Sequence, residues 1–131
     1  MSNLELALNY ARRVWDERDL RAIDEILHSQ CIIHSLIGKF YGPKAMKNVV
    51  QAWLDGFPDL KVVNTATSIE GNCVTLHWNA HGTHLGAFKG IEATHKPIAY
   101  TGSSTYRIEN NEIVEYWGAL DMHKLLAQIT G

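Results

Sequence analysis

Cysteine is scarce in this sequence: Cys31 and Cys73 are its two thiols, each flanked by strand-like apolar residues. Two such thiols cannot make a disulfide framework and read as buried side chains in a reducing compartment, so a cytoplasmic protein is expected. A basic stripe is missing as well. Twelve Lys and Arg are outnumbered by 14 Asp and Glu and are spread along the chain, for a net charge of −2. That excludes the concentrated positive field that a phosphate backbone requires. No apolar run approaches the length that crosses a bilayer, and the opening MSNLELALNYARRVWDERDL scatters its charges where a secretory leader needs an apolar core. Neither nucleic acid nor a membrane is therefore an expected partner. Repeats, low-complexity segments and linkers are absent, and 131 residues fill one domain of ordinary size, so residues 1–131 are read as a single domain.

What the chain does have is apolar residues in two successive rhythms. Hydrophobic residues make up 46% of it and charged residues 20%, the balance of a globular protein able to bury a core. Leu4, Leu8, Ala11, Val14 and Trp15, then Ile23, Ile26 and Leu27, recur at helical spacing and predict two helices broken near Asp19. CIIHSLI predicts a short strand, and Gly42-Pro43 opens a third helix, PKAMKNVVQAWLDGF, with Gly56 as its stop. After it the rhythm becomes that of strands: LKVVNTATSIE, CVTLHWNAHGTH, PIAYTGSSTYRIE and EIVEYWGAL, rich in Val, Ile, Thr, Tyr and Trp. Gly71-Asn72 and Asn110-Asn111 predict tight hairpin turns, because Gly and Asn tolerate positive φ. The connection between His84 and Pro97 is too long and Gly-rich for a hairpin and is expected at the mouth of a cavity. DMHKLLAQI predicts a final helix behind Asp121.

Helices first and antiparallel strands afterwards predict an α+β fold, with the N-terminal helices packed on a curved, cone-shaped antiparallel sheet that encloses a pocket. Such a concave apolar space is the default small-molecule site. Alternation along PIAYTGSSTYRI places Ile98, Tyr100, Gly102, Ser104, Tyr106 and Ile108 on the inner face, and Ala99, Thr101, Ser103, Thr105 and Arg107 on the outer one.

Four segments taken in order, IIHS, GFPDLKV, GTHLGAFKGI and TGSSTYRIENNEIVEYWGALDMHKLL, resemble the SnoaL-like polyketide cyclases of the nuclear transport factor 2 superfamily. The resemblance covers nearly the whole chain. It implies a deep pocket closed by helices, no metal and no organic cofactor, assembly into a homodimer or higher homo-oligomer through the outer sheet face, and acid–base chemistry centred on a carboxylate matching Asp121. The characterised members close a ring by intramolecular aldol condensation of an aromatic polyketide ester. This chain departs from the pattern where Ser35 follows His34 and where Ser104 occupies a position that is commonly acidic.

Asp121 has two readings on its own residues. If the last strand continues its alternation through Trp117 and Ala119, the side chain enters the cone, where desolvation beside Trp117 and Leu120 raises a carboxylate toward the range of a neutral-pH general base. Aspartate before a helix is equally a preferred N-cap. His34, among Ile32, Ile33 and Leu36, is either a satisfied core histidine or a polar partner for a substrate carbonyl, and His84 in GTHLG either a loop residue or a polar group at the pocket edge. Trp15, Phe57, Phe88, Tyr106 and Trp117, with Ser104, make up an expected substrate wall suited to an apolar, aromatic small molecule. The histidines of HWNAHGTH do not form a metal frame, because His77 and His81 share a face that His84 does not, and no carboxylate or thiolate follows at ligand spacing. Serine elbows and base-paired thiols are missing. The open function classes are a proton-transfer lyase or isomerase using Asp121, a binding module without chemistry, and a cofactor-free hydrolase.

Overall fold

The structure is a computed structural model describing residues 1–131. Helix α1 (Asn3–Ala11) starts in a capping box, with the Ser2 hydroxyl accepting from the Glu5 N–H at 3.1 Å and the Glu5 carboxylate reaching back to the Ser2 N–H. It runs on as a π-helical turn, Arg12–Asp16, and buries Leu6, Ala7, Tyr10, Ala11 and Val14 along one stripe. The break before α2 (Arg21–Ile26) comes where Arg18 takes φ 56° and Asp19 holds Arg13 and Arg21 together. Helix α3 (Pro43–Gly56) begins on Gly42, at φ 87°, with Pro43 pre-set in its first turn. Its apolar stripe is Met46, Val49, Val50, Trp53 and Gly56.

The strands are β1 (Leu27–Ser35), β2 (Gly38–Tyr41), β3 (Lys61–Glu70), β4 (Cys73–Thr83), β5 (Pro97–Glu109) and β6 (Glu112–Leu120), followed by α4 (Met122–Thr130). They form one curved, unclosed sheet in the order β2-β1-β6-β5-β4-β3, with the helices against it, so the α+β class expected from the element order is what forms. Two details differ from expectation. Strand β2, four residues paired with β1, has no alternation of its own that would announce it. The sheet is also not wholly antiparallel, since β1 and β6 run parallel, His34 opposite Trp117.

Two apolar clusters hold the layers together. The larger joins α1, α2 and the middle of α3 to β1, β4, β5 and β6 around Tyr10, Ile23, Ile33, Leu76 and Tyr106. The smaller joins the end of α3 to β5 and α4 through Trp53, Phe57, Phe88, Leu125 and Ile129. The connection from His84 to Pro97 belongs to this second cluster and does not border the cavity described below. Leu85 and Gly86 both donate to the Gly56 carbonyl at 3.1 Å, and Phe88 lies 4.8 Å from the Trp53 ring and 4.9 Å from the Phe57 ring. A Cβ at Gly86 would come within 1.9 Å of the Asp55 carbonyl oxygen, so this approach needs glycine. The segment expected at the mouth is instead bound to the end of α3.

A candidate ligand cavity

Between α1, α3 and the inner face of the sheet lies a cavity of about 520 Å³, within the range of small-molecule sites. Sixteen of its 24 lining residues are hydrophobic, which sets an apolar ligand as its natural occupant. Trp15, Val49, Trp53, Leu76 and Leu120 supply the wall, and the polar side chains, Ser35 and Asn64 apart, fall into two groups. One is at the sheet floor: Trp78, Ser104, Tyr106 and Tyr116. The other is along α1: Glu5, Asn9, Arg12 and Asp16.

The floor is built by cross-strand pairing. Trp78 on β4 donates its indole N–H to the Ser104 hydroxyl on β5 at 3.0 Å. Ser104 faces Gly118 on β6, and the missing side chain there leaves room for the Tyr116 hydroxyl, which a Cβ at Gly118 would meet at 2.8 Å. Tyr106 packs at 5.5 Å from both Tyr10 and Tyr116. Burial pushes the Tyr106 and Tyr116 phenols above their ordinary range, with the adjacent Ser104 hydroxyl pulling weakly the other way. Both phenols therefore stay protonated at neutral pH.

On the α1 side most polar groups are engaged. Glu5 is held in the capping box, and Arg12 bonds the Asn9 side chain at 2.7 Å and pairs with Glu17. Asp16, exposed at the end of the π-helical turn, is the cavity-lining carboxylate with no protein partner.

Of the residues expected in the wall, Trp15, Ser104 and Tyr106 line the cavity. Phe57 and Phe88 are buried in the second cluster and do not reach it. His84 is buried beside Phe57, its Nδ1 within 2.9 Å of the Thr94 hydroxyl and accepting from the Thr94 N–H; its Nε2 has no partner. His34, Trp117 and Asp121 stand on the other face of the sheet. His34 Nε2 lies 2.7 Å from Glu115, its ring stacks on Trp117 at 5.2 Å, and Arg107 completes the group at 3.1 Å from Glu115. His34 first, and Arg107 after it, hold the Glu115 carboxyl below its ordinary range against a smaller opposing effect of burial. Asp121 is exposed in a shallow outer recess with His77, Asn79, Thr101 and Ser103, and its Oδ1 accepts from the Lys124 N–H at 3.0 Å as the N-cap of α4.

A bulge explains the misplacement on β6. Ile108 pairs with Ile113, but Arg107 pairs with Glu115, so Val114 is an extra residue. Uninterrupted alternation from the buried Ile113 would carry Glu115, Trp117, Ala119 and Asp121 inward. The extra residue instead turns Tyr116, Gly118 and Leu120 to the cavity. On β1, Cys31 and Ile33 are fully buried inward, so His34 between Ile33 and Ser35 faces out. Trp78, Tyr116 and Gly118 were missed. The available signal for Trp78 was its alternation with Leu76 and Ala80.

A family model of SnoaL-like polyketide cyclases matches residues 5–129 of the chain. No curated protein sequence matches it significantly. Among solved structures, a candidate SnoaL-like polyketide cyclase from Jannaschia sp. CCS1 is similar with TM-score 0.89 at 18% identity, covering 98% of this chain and 92% of that one. IdmH, a candidate polyketide cyclase from Streptomyces antibioticus, gives 0.83 at 22% identity over the full length of both chains. AclR, a candidate hydroxylase from Streptomyces galilaeus, gives 0.84 at 23% identity, covering 97% of this chain and 94% of that one. At these identities the likeness speaks for the fold, and two different chemistries are named among such neighbours.

Proposed function

The chain belongs to the SnoaL-like polyketide cyclase family, and from that membership and the cavity we propose that it takes up a flat, apolar carbonyl compound and promotes its enolisation or intramolecular aldol-type ring closure without a cofactor. The observation that carries the proposal is the floor: neutral hydrogen-bond donors grouped around buried Ser104 at the base of an otherwise apolar space. A carbonyl oxygen placed there gains negative charge as the neighbouring carbon loses its proton, and pre-positioned donors stabilise that charge most where water is excluded. The proton goes to a carboxylate, and Asp16 is the one that lines the cavity unpartnered. In ring closure the enolate carbon attacks a second carbonyl of the same molecule, a carbon–carbon bond forms, and the resulting alkoxide takes the proton back from Asp16. Asp121 has no part in this scheme, since it caps α4 outside the cone.

A second reading, uptake without chemistry, is favoured by one specific observation: the floor itself holds a serine and no carboxylate. Deuterium incorporation at the acidic carbon of an aromatic keto ester, followed by NMR, separates the two. The catalytic reading expects exchange above the buffer rate, lowered roughly 10²-fold or more by Asp16→Asn, the usual weight of a placed general base. Exchange at the buffer rate with the ester demonstrably bound would leave a binding protein.

A further inference from the structure

Resting on the reading of the cone as a carbonyl-binding cavity, we infer that Trp78 is a positioning residue that fixes the direction of the Ser104 hydroxyl at the floor, so that Ser104 presents its hydrogen to the ligand and the floor favours an acceptor oxygen there: carbonyl, enolate or phenolate.

An indole N–H donates and cannot accept, whereas a serine hydroxyl has one hydrogen and accepts as well. Because Trp78 Nε1 is 3.0 Å from Ser104 Oγ, Ser104 must be the acceptor in that bond, and its own hydrogen is directed elsewhere. Ser104 is 7% exposed and lines the cavity, and no protein acceptor is paired with that hydrogen. The cavity is what remains.

Trp78 can impose this order because it cannot turn. Its ring stands edge-on to Tyr100 at 5.7 Å and 84°, and the far edge lies over Gly102, where a Cβ would come within 2.6 Å of it. On the other side Gly118 gives the Tyr116 hydroxyl its place opposite Ser104. One ring held in this way therefore keeps the Ser104 hydrogen turned away from it.

Fluorenone, carbazole and fluorene test this, since the three share one tricyclic shape and differ at a single position: C=O, N–H or CH₂. Dissociation constants by calorimetry are expected to rank fluorenone tightest, about 2- to 12-fold below fluorene, the worth of one net hydrogen bond. Carbazole should be weakest, about 5-fold or more above fluorene, because at the floor its N–H meets the Ser104 hydrogen in place of an acceptor. Trp78→Phe releases Ser104 to turn and accept, so the carbazole-to-fluorenone ratio should fall toward one, while fluorene changes little. Ser104→Ala should collapse the same ratio, and Ser104→Thr, which keeps the hydroxyl, should restore it. A purely structural role for Trp78 would shift all three ligands together and leave the ratio alone. Carbazole binding as tightly as fluorenone to the wild type, or a ratio unchanged in both Trp78→Phe and Ser104→Ala, overturns the inference. Failure of all three to bind overturns the reading of the cavity on which it rests, and the inference with it.

Discussion

Replacing Asp121 distinguishes a cap from a reagent. Its Oδ1 takes the Lys124 N–H at 3.0 Å, one of the donors that the first turn of α4 would otherwise leave unsatisfied, and its backbone sits at φ −85°, ψ 95°, the extended conformation of an N-cap. The helix it caps is anchored elsewhere too. Leu125 and Ile129 are buried in the second cluster, and the Gln128 side chain bonds both backbone groups of Ala99, at 2.8 and 2.9 Å. Loss of the cap therefore frays one turn without undocking α4, and Asp121→Ala should cost about 1 kcal/mol. For a chain of this size that lowers Tm by roughly 4 °C. Asp121→Asn should be nearly silent, since asparagine caps as well as aspartate. Thermal unfolding followed by circular dichroism reads both variants, and deuterium exchange on a bound keto ester reads the chemistry. Neither substitution should alter exchange or ligand affinity by more than about 2-fold, as no atom of Asp121 lines the cavity. An Asp121→Asn protein of wild-type stability whose exchange falls 10²-fold would refute the assignment and return the proton to Asp121.

Phe88→Ala should destabilise the protein by about 3–5 kcal/mol, because this 4%-exposed ring fills the space between Trp53 and Phe57. Urea unfolding measures it, and a cost below 1 kcal/mol would mean that the 84–97 connection is not the fixed support described above. Alkylation with iodoacetamide at pH 8 followed by mass spectrometry should modify Cys73 and spare Cys31, since burial pushes the Cys31 thiol up to about 12 and Cys73 is only half-buried. Arg13 and then Arg21 draw the Asp19 carboxyl down from 3.8 to about 2, so its pairing contributes stability that is complete above the unfolded value and lost as the pH falls through the folded one. Asp19→Asn should accordingly flatten the dependence of the unfolding free energy on pH between 3.8 and about 2; an unchanged slope would show that the pair holds nothing.

Much of the fold was legible because it is written in local rhythm. The break at Asp19, the start of α3 on Gly42-Pro43 and the inner row of β5 follow from capping, turn chemistry and alternation, all local in sequence. Asn110 and Asn111 take φ 51° and 62°, as a tight hairpin needs. What could not be read depends on partners far away in the chain. Strand β2 exists because β1 offers an edge to Gly38–Tyr41, and the 84–97 connection lies where the Gly56 carbonyl accepts two of its N–H groups. The site was half legible for the same reason. Ser104 and Tyr106 sit on a regular strand, whereas Tyr116 and Gly118 come after a bulge that leaves no mark in composition.

That bulge separates two registers of one strand. With Val114 outside the ladder, β6 shows the interior Tyr116 and Gly118 and leaves its acid and its tryptophan outside. Draw Val114 into the ladder opposite Arg107, and every later residue slips by one: Trp117 turns toward the ligand and Tyr116 away from it. Deleting Val114 makes no such exchange, because Glu115 then follows Ile113 directly and the pairs Arg107–Glu115 and Tyr106–Tyr116 stand as they are. For anyone engineering this scaffold, losing that one residue locks the neutral floor in place, whereas changes that press it into the ladder trade the floor for an interior carrying Glu115 and Trp117.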